Sequence, residues 1–215
     1  MVSKVHTVDI PPSEINRKLL HLFASVIPLI YLMISQCYAK WIMLALTVGY
    51  LVLDTVRLEW RWLYKLFKPF IRKEERRGLT AGVMVFIAST ILFWTAPKPY
   101  TVIALFYISI GDTAAAWVGM KWGRLRWLPK RTVEGSLACL LANTLVACIA
   151  AFGFSYLPFL PMFIGAVVAT LVEAFASPWK WISGVRREGF VMLLDDNLLL
   201  PLLSTVAMVI ADTVI

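Results

Sequence analysis

Residues 135–154 read GSLACLLANTLVACIAAFGF, a run of 20 residues without one charged side chain. About 20 mostly apolar residues suffice for a helix to cross ~30 Å of hydrocarbon. Working outward, comparable runs occur at 17–36, 41–56, 80–96, 100–120, 159–177 and 197–214. The sequence therefore predicts an all-α polytopic bundle of about seven spans, in which 41–56 is the shortest and needs snorkelling flanks. The composition agrees: 60% of the 215 residues are hydrophobic and only 16% are charged, too few charges to solvate a globular surface of this size. The polar residues before Arg17 lack the pattern of a cleaved signal, so the first run reads as a retained helix. Cys37, Cys139 and Cys148 have neither disulfide-framework nor metal-cluster spacing and read as small buried hydrophobes.

The net charge of +8 is unevenly distributed. Arg57, Arg61, Lys65, Lys68, Arg72, Lys73, Arg76 and Arg77 fall between the second and third runs. Lys121, Arg124, Arg126, Lys130 and Arg131 fall between the fourth and fifth, and Lys180, Arg186 and Arg187 between the sixth and seventh. Lys4, Arg17 and Lys18 precede or open the first; only Lys40 and Lys98 lie in the opposite connections. With seven spans all the basic segments share one side, which the positive-inside rule makes cytoplasmic, with the N-terminus inside. Within 57–77, Trp62, Leu66 and Phe70 recur every fourth residue, as do Leu63, Phe67 and Ile71, with basic residues between them. That pattern suits a helix lying in the interface against anionic lipid, not a nucleic-acid surface. Residues 1–215 read as one integral membrane domain with its core over 16–215.

Acidic residues inside or at the edge of a span need a reason, because a carboxylate in hydrocarbon is costly. Asp112 lies within the fourth run, and Ala115, Gly119 and Gly123 come after it on roughly one helical face. Small residues at that spacing suit close helix packing, which leaves Asp112 unexplained. Beyond them, Lys130, Arg131, Thr132, Glu134, Gly135 and Ser136 open the fifth run. Thr132 fits a helix cap, the two basic residues fit polyphosphate, and Glu134 fits a cap, a metal ligand or a base-recognition role equally well. Asp195, Asp196 and Asn197 open the last run; either acid fits a cap, while together they offer the hard oxygens that Mg²⁺ selects. Glu173, late in the sixth run, needs a partner, for which Lys180, Arg186 and Arg187 are candidates. Arg17 and His21 share a face of the first run. Asp54 and Asp212 stand near run ends, within reach of water, and Ser25, Thr90 and Ser109 have no visible base partner for hydrolase chemistry.

Together these motifs resemble the CTP-binding signature of the dolichol kinase family. That family includes phytol kinases and CTP-dependent diacylglycerol kinases and is more distantly similar to CTP:phosphatidate cytidylyltransferases. The resemblance rests on Asp112-x2-Ala115-x3-Gly119-x3-Gly123 and on Lys130-Arg131-Thr132-x-Glu134-Gly135-Ser136. Arg17-Lys18-x2-His21 and Asp196-Asn197 followed by Pro201 extend it to most of the chain. It implies a membrane kinase that transfers the γ-phosphate of CTP to the hydroxyl of a lipid alcohol, an isoprenoid alcohol first and diacylglycerol second. On that reading Asp112, Asp195 and Asp196 hold Mg²⁺, and Asp112, Asp196 and Glu134 are the catalytic carboxylates. Ala115, Gly119, Gly123 and the block 130–136 bind the nucleotide, and Asn197, Arg17, His21 and Glu173 are further candidates. A cytidylyltransferase would use the same nucleotide. A transporter, with a helix broken at Gly111-Asp112, is the reading from another class. The lipid bilayer and CTP are the expected partners, and the oligomeric state is open.

Overall fold

The computed structural model describes residues 12–71, 74–128, 131–153, 157–182 and 195–215. The first span is two helices, α1 (Pro12–Phe23) and α2 (Val26–Met33), joined by a turn at Ala24-Ser25. Next come α3 (Gln36–Glu59), a short α4 (Arg61–Phe67), α5 (Ala81–Thr95) and α6 (Lys98–Phe106). A π-helical segment, Tyr107–Gly111, carries α6 into α7 (Asp112–Trp122). A small hairpin of β1 (Arg126–Leu128) and β2 (Arg131–Thr132) then leads into α8 (Val133–Gly153), α9 (Phe159–Ile182) and α10 (Asp196–Val214).

Six of these segments are long and apolar enough to cross a membrane. The chain is thus an all-α polytopic bundle. The short member differs from the one expected: the second segment, Gln36–Glu59, has 24 residues, whereas the third, Ala81–Thr95, has 15. At 1.5 Å per residue α5 measures roughly 22 Å, less than the hydrocarbon thickness. It starts late because the chain before it is folded against the bundle, where backbone groups must find protein partners. Arg57 donates to the carbonyls of Glu75 (3.2 Å) and Gly78 (2.6 Å), and its Nε pairs with Asp54 at 2.6 Å. Asp54 in turn accepts the amide of Thr80 at 2.9 Å, and Glu75 accepts that of Ala81 at 3.1 Å, so two carboxylates cap α5. Asp54 and Arg57 are both fully buried. This corrects the expectation that Asp54 reaches water; Asp212 is indeed exposed.

Helix α1 is built inside out. Arg17, Lys18 and His21 are buried, whereas Leu19, Leu20, Leu22 and Phe23 are exposed. A helix in water would present the opposite faces; here the apolar face meets lipid and the polar face meets protein. The interfacial stretch divides similarly: Leu63 and Ile71 are buried, while Trp62 and Leu66 are exposed. Cys139 is buried as expected, but Cys37, in the first turn of α3, is exposed.

The core lies between α5, α6, α8, α9 and α10. Ala166, Ala169 and Gly165 give α9 a smooth face on which α10 lies closely, with Met208 against Gly165. The π segment fixes the rotation of α7. Hydroxyls satisfy carbonyls around it: Ser109 Oγ donates to Leu105 O (3.0 Å), and Thr113 Oγ1 donates to Ser109 O (2.6 Å). At its end, a side chain on Gly111 would fall on the amide of buried Asn143 in α8. The helix is wound wider here but is not broken, unlike the discontinuous helix of a transporter. Gly111→Ala is expected to lower stability in detergent by about 1–3 kcal/mol through overpacking. Asn143→Ala in the same chain should restore part of that loss, as read by thermal unfolding of both single variants and the double variant.

Candidate functional site

The buried face of α1 delivers Lys18 and His21 to Asp112 at the start of α7. Lys18 Nζ is ion-paired with Asp112 Oδ2 and also donates to the Asp112 carbonyl at 3.1 Å. His21 Nδ1 lies 3.7 Å from the same Oδ2. Asp112 is 6% exposed and Lys18 is 2% exposed, so this is a charge pair inside the protein. Arg17, one residue earlier, is held by Glu14 at 2.9 Å. Asp112 and His21 are expected site residues, whereas Lys18 enters the sequence reading only as a topology charge and as part of the Arg17-Lys18-x2-His21 motif, with no role of its own. A signal for it is nonetheless present: Glu14, Arg17, Lys18 and His21 form one polar stripe on an otherwise leucine-rich helix.

A second group forms where α8, α9 and α10 meet. The hairpin places Arg131 beside the N-terminus of α8, and its guanidinium reaches two carboxylates from other helices. Nη1 pairs with Glu173 of α9, and Nη2 lies 3.2 Å from Oδ2 of Asp196 in α10. Glu173 is 1% exposed, so the partner it needed is Arg131; Lys180, Arg186 and Arg187 have no described side chains. Asp195 caps α10, accepting the Asn197 amide (3.0 Å) and the Asn197 side chain (2.7 Å), which also donates to Asp196 at 3.1 Å. The two groups are neighbours. Asp196 lies within electrostatic range of Lys18 and His21, and Arg131 within range of Asp112.

The block between the groups is largely occupied with packing. A side chain on Gly135 would meet the Ala115 carbonyl at 2.8 Å and the Gly119 Cα at 3.3 Å. One on Gly123 would meet Thr132 Cγ2 at 2.6 Å, and one on Gly119 would meet Thr132 Oγ1 at 3.0 Å. The smooth strip of α7 therefore faces α8 and Thr132, and the close approach it permits is between those helices. Thr132 Oγ1 accepts the Gly135 amide at 3.2 Å, which is the capping role. Glu134 accepts the Leu125 amide at 3.2 Å and closes the hairpin. Ser136 is half-buried, with its hydroxyl unpartnered. Lys130 lies outside the described residues. Ser25 and Ser109, which lack a base partner for nucleophilic chemistry, hydrogen-bond each other at 2.8 Å close to His21.

For a divalent cation the chemistry of the donors fits better than their number. Among the described residues no three acidic, His or Cys side chains converge on one point. Mg²⁺, however, is commonly held by one or two carboxylates together with substrate phosphates. Asp112 and the Asp195-Asp196 pair offer hard oxygens of that kind, and Lys18 and Arg131 supply positive charge beside them. The arrangement suits a polyanion that brings its own cation.

No family model matches the chain, and no solved structure matches it. Curated proteins do. The CTP-dependent diacylglycerol kinase 1 of Schizosaccharomyces pombe is 25% identical over 211 residues, covering 89% of this chain and 90% of the relative. That of Saccharomyces cerevisiae is 29% identical over 228 residues, covering 91% of this chain and 72% of the relative. An uncharacterized protein of Rickettsia prowazekii is 25% identical, with 88% and 90% covered. The chain is thus a distant, family-level relative of two CTP-dependent diacylglycerol kinases along nearly its whole length.

Proposed function

We propose that the chain is a CTP-dependent lipid kinase, transferring the γ-phosphate of CTP to the hydroxyl of a membrane lipid alcohol. The observation that carries this reading is the convergence of Asp112, Lys18 and His21 with Arg131, Glu173 and Asp196. These groups come from α1, α7, α9, α10 and the hairpin before α8, and form two neighbouring clusters within a membrane bundle. The distant kinship with two CTP-dependent lipid kinases supports both the nucleotide and the reaction class. Their names equally support diacylglycerol as the acceptor.

Phosphoryl transfer asks a protein chiefly for positioning and charge neutralisation. Arg131 and Lys130 would bind the phosphates at the N-terminal end of α8, where backbone amides and the helix dipole also favour an anion. Asp112, Asp196 and Asp195 would hold Mg²⁺, which when bound supplies positive charge to the phosphates. Lys18 holds Asp112 in its buried position through the ion pair and a hydrogen bond to its carbonyl. The acceptor oxygen attacks the γ-phosphorus, the bond to the β-phosphate oxygen breaks, CDP leaves, and the acceptor proton passes to a carboxylate of the site. The basic connections share the end that carries these residues, and we assign that end to the cytoplasm, where CTP is supplied.

With CTP labelled on the γ-phosphate, purified protein and a lipid-alcohol panel, label is expected in the lipid. Label recovered in pyrophosphate instead means cytidylyltransferase chemistry and overturns the kinase reading. Asp112→Asn and Lys18→Met should each lower kcat by about 10²–10³-fold, the usual scale for removing a preorganised charge. The double variant leaves no unpaired buried charge and should be better folded than either single one while remaining inactive. Exposed Arg76, replaced by Cys in a background lacking other cysteines, should react with an impermeant maleimide only from the cytoplasmic side. Labelling from outside would reverse the assigned orientation.

A further inference from the structure

The hairpin that carries Arg131 is held at its base and across its width. At the base it is sewn to α8: Val133 N donates to Leu125 O at 2.9 Å, and Glu134 accepts the Leu125 amide at 3.2 Å. Across its width it grips α9. The Trp127 ring meets Phe175 edge-on, with centroids 5.4 Å apart and planes at 70°, while Arg131 Nη1 pairs with Glu173. Residues two apart on a helix point about 200° apart around its axis. Phe175 is accordingly 49% exposed and Glu173 1% exposed. The hairpin therefore straddles α9, with an aromatic ring on the outward side and a guanidinium on the buried side.

The helix it straddles is firmly joined to the acids. α9 lies closely on α10 through Gly165, Ala166 and Ala169, and α10 carries Asp196. Docking on α9 thus fixes the hairpin relative to Asp196 as well. Glu173 presents almost no surface to a substrate, so its effect on the site is exerted through Arg131. An arginine fork can hold two carboxylates at once, whereas an ammonium is a single point of charge. Arg131 uses the fork in this way: Nη1 faces buried Glu173, and Nη2 lies 3.2 Å from the more accessible Asp196. A phosphate or cation arriving at Asp196 competes for the second contact and leaves the first in place.

We propose that Glu173 is a positioning residue: together with Phe175 it docks the hairpin on α9 and holds the Arg131 guanidinium where a nucleotide phosphate meets it beside Asp196. The use of that position for a phosphate rests on the lipid-kinase reading, whereas the docking does not. The test uses the intact protein in phosphatidylcholine vesicles, spin-labelled at the exposed positions Arg126→Cys and Ile210→Cys in a background lacking other cysteines. The parent should give one narrow distance distribution between hairpin and α10. Glu173→Gln, which keeps the side chain's volume and removes its charge, should broaden it. Equilibrium binding of labelled CTP should weaken about 10-fold, the scale of one hydrogen bond to a charged group. KM for CTP should rise alike, while kcat and KM for the acceptor stay within about 2-fold, the pattern of lost uniform binding. Phe175→Ala disturbs no buried charge and so controls for folding; it should also broaden the distribution and weaken CTP binding about 3-fold, as expected for one aromatic pair. A distribution that stays narrow in Glu173→Gln overturns the docking role. A broadened distribution with CTP binding unchanged, or a fall in kcat at constant KM for CTP, overturns the positioning role. If the parent binds no CTP, the kinase reading fails, and the distance distributions still decide whether Glu173 docks the hairpin.

Discussion

The structure is organised around one costly element, the carboxylate of Asp112 buried within a bundle of membrane helices. Withdrawing an ion from water costs several kcal/mol even after relaxation, and the cost is met only by a well-placed counter-charge and further hydrogen bonds. Lys18 provides both, since its ammonium also reaches the Asp112 carbonyl. For Lys18 to do so, α1 must turn its polar face inward and leave its leucines to the lipid. Neutralising a single acid thereby sets the orientation of the whole first span. The π segment is the other half of the arrangement. Successive residues of a helix are about 100° apart around its axis, so one widened turn re-aims every side chain of α7, Asp112 included.

A second buried pair, Asp54 and Arg57, serves the scaffold. Asp54 and Arg57 are buried as completely as any charges among the described residues, yet their hydrogen bonds go to the backbone at 75–80 and to each other. The hydrogen bonds there are directed at closing a loop and starting α5. Around Asp112 and Asp196, by contrast, carboxylates are held by side-chain cations from distant parts of the chain. Such cations make charge-assisted hydrogen bonds to carboxylate and phosphate oxygens alike. Burial alone does not separate the two cases; the identity of the partners does.

The architecture and the position of Asp112 are legible in the sequence, because uncharged runs and an acid within one of them are local signals. The features that are not legible depend on tertiary partners. The second span, read as 41–56, runs Gln36–Glu59 because the helix continues through polar Gln36, Lys40 and Arg57 at its two ends, whereas the third, read as 80–96, is found at Ala81–Thr95. Lys18 is hidden among residues that also set topology, although the inward stripe at 14, 17, 18 and 21 is readable as a periodicity. The glycines are the ambiguous case. Small residues at spacing four serve helix packing and ligand approach equally, and only the position of Thr132 shows that the packing use is met. The hairpin at 126–132 gives no sequence signal at all, since strands of three and two residues carry no period to detect.

The two groups of the candidate site sit at different levels along the helices. Arg131, Asp196 and the cap of α10 lie at helix ends, where a soluble polyanion can approach from water. His21 and Asp112 lie inward of those ends, His21 on the largely lipid-facing first span and Asp112 within the span Lys98–Trp122. Lys18, carried on the lipid-facing first span, ties that span to the buried carboxylate, so any displacement of α1 would also change the charge balance at Asp112.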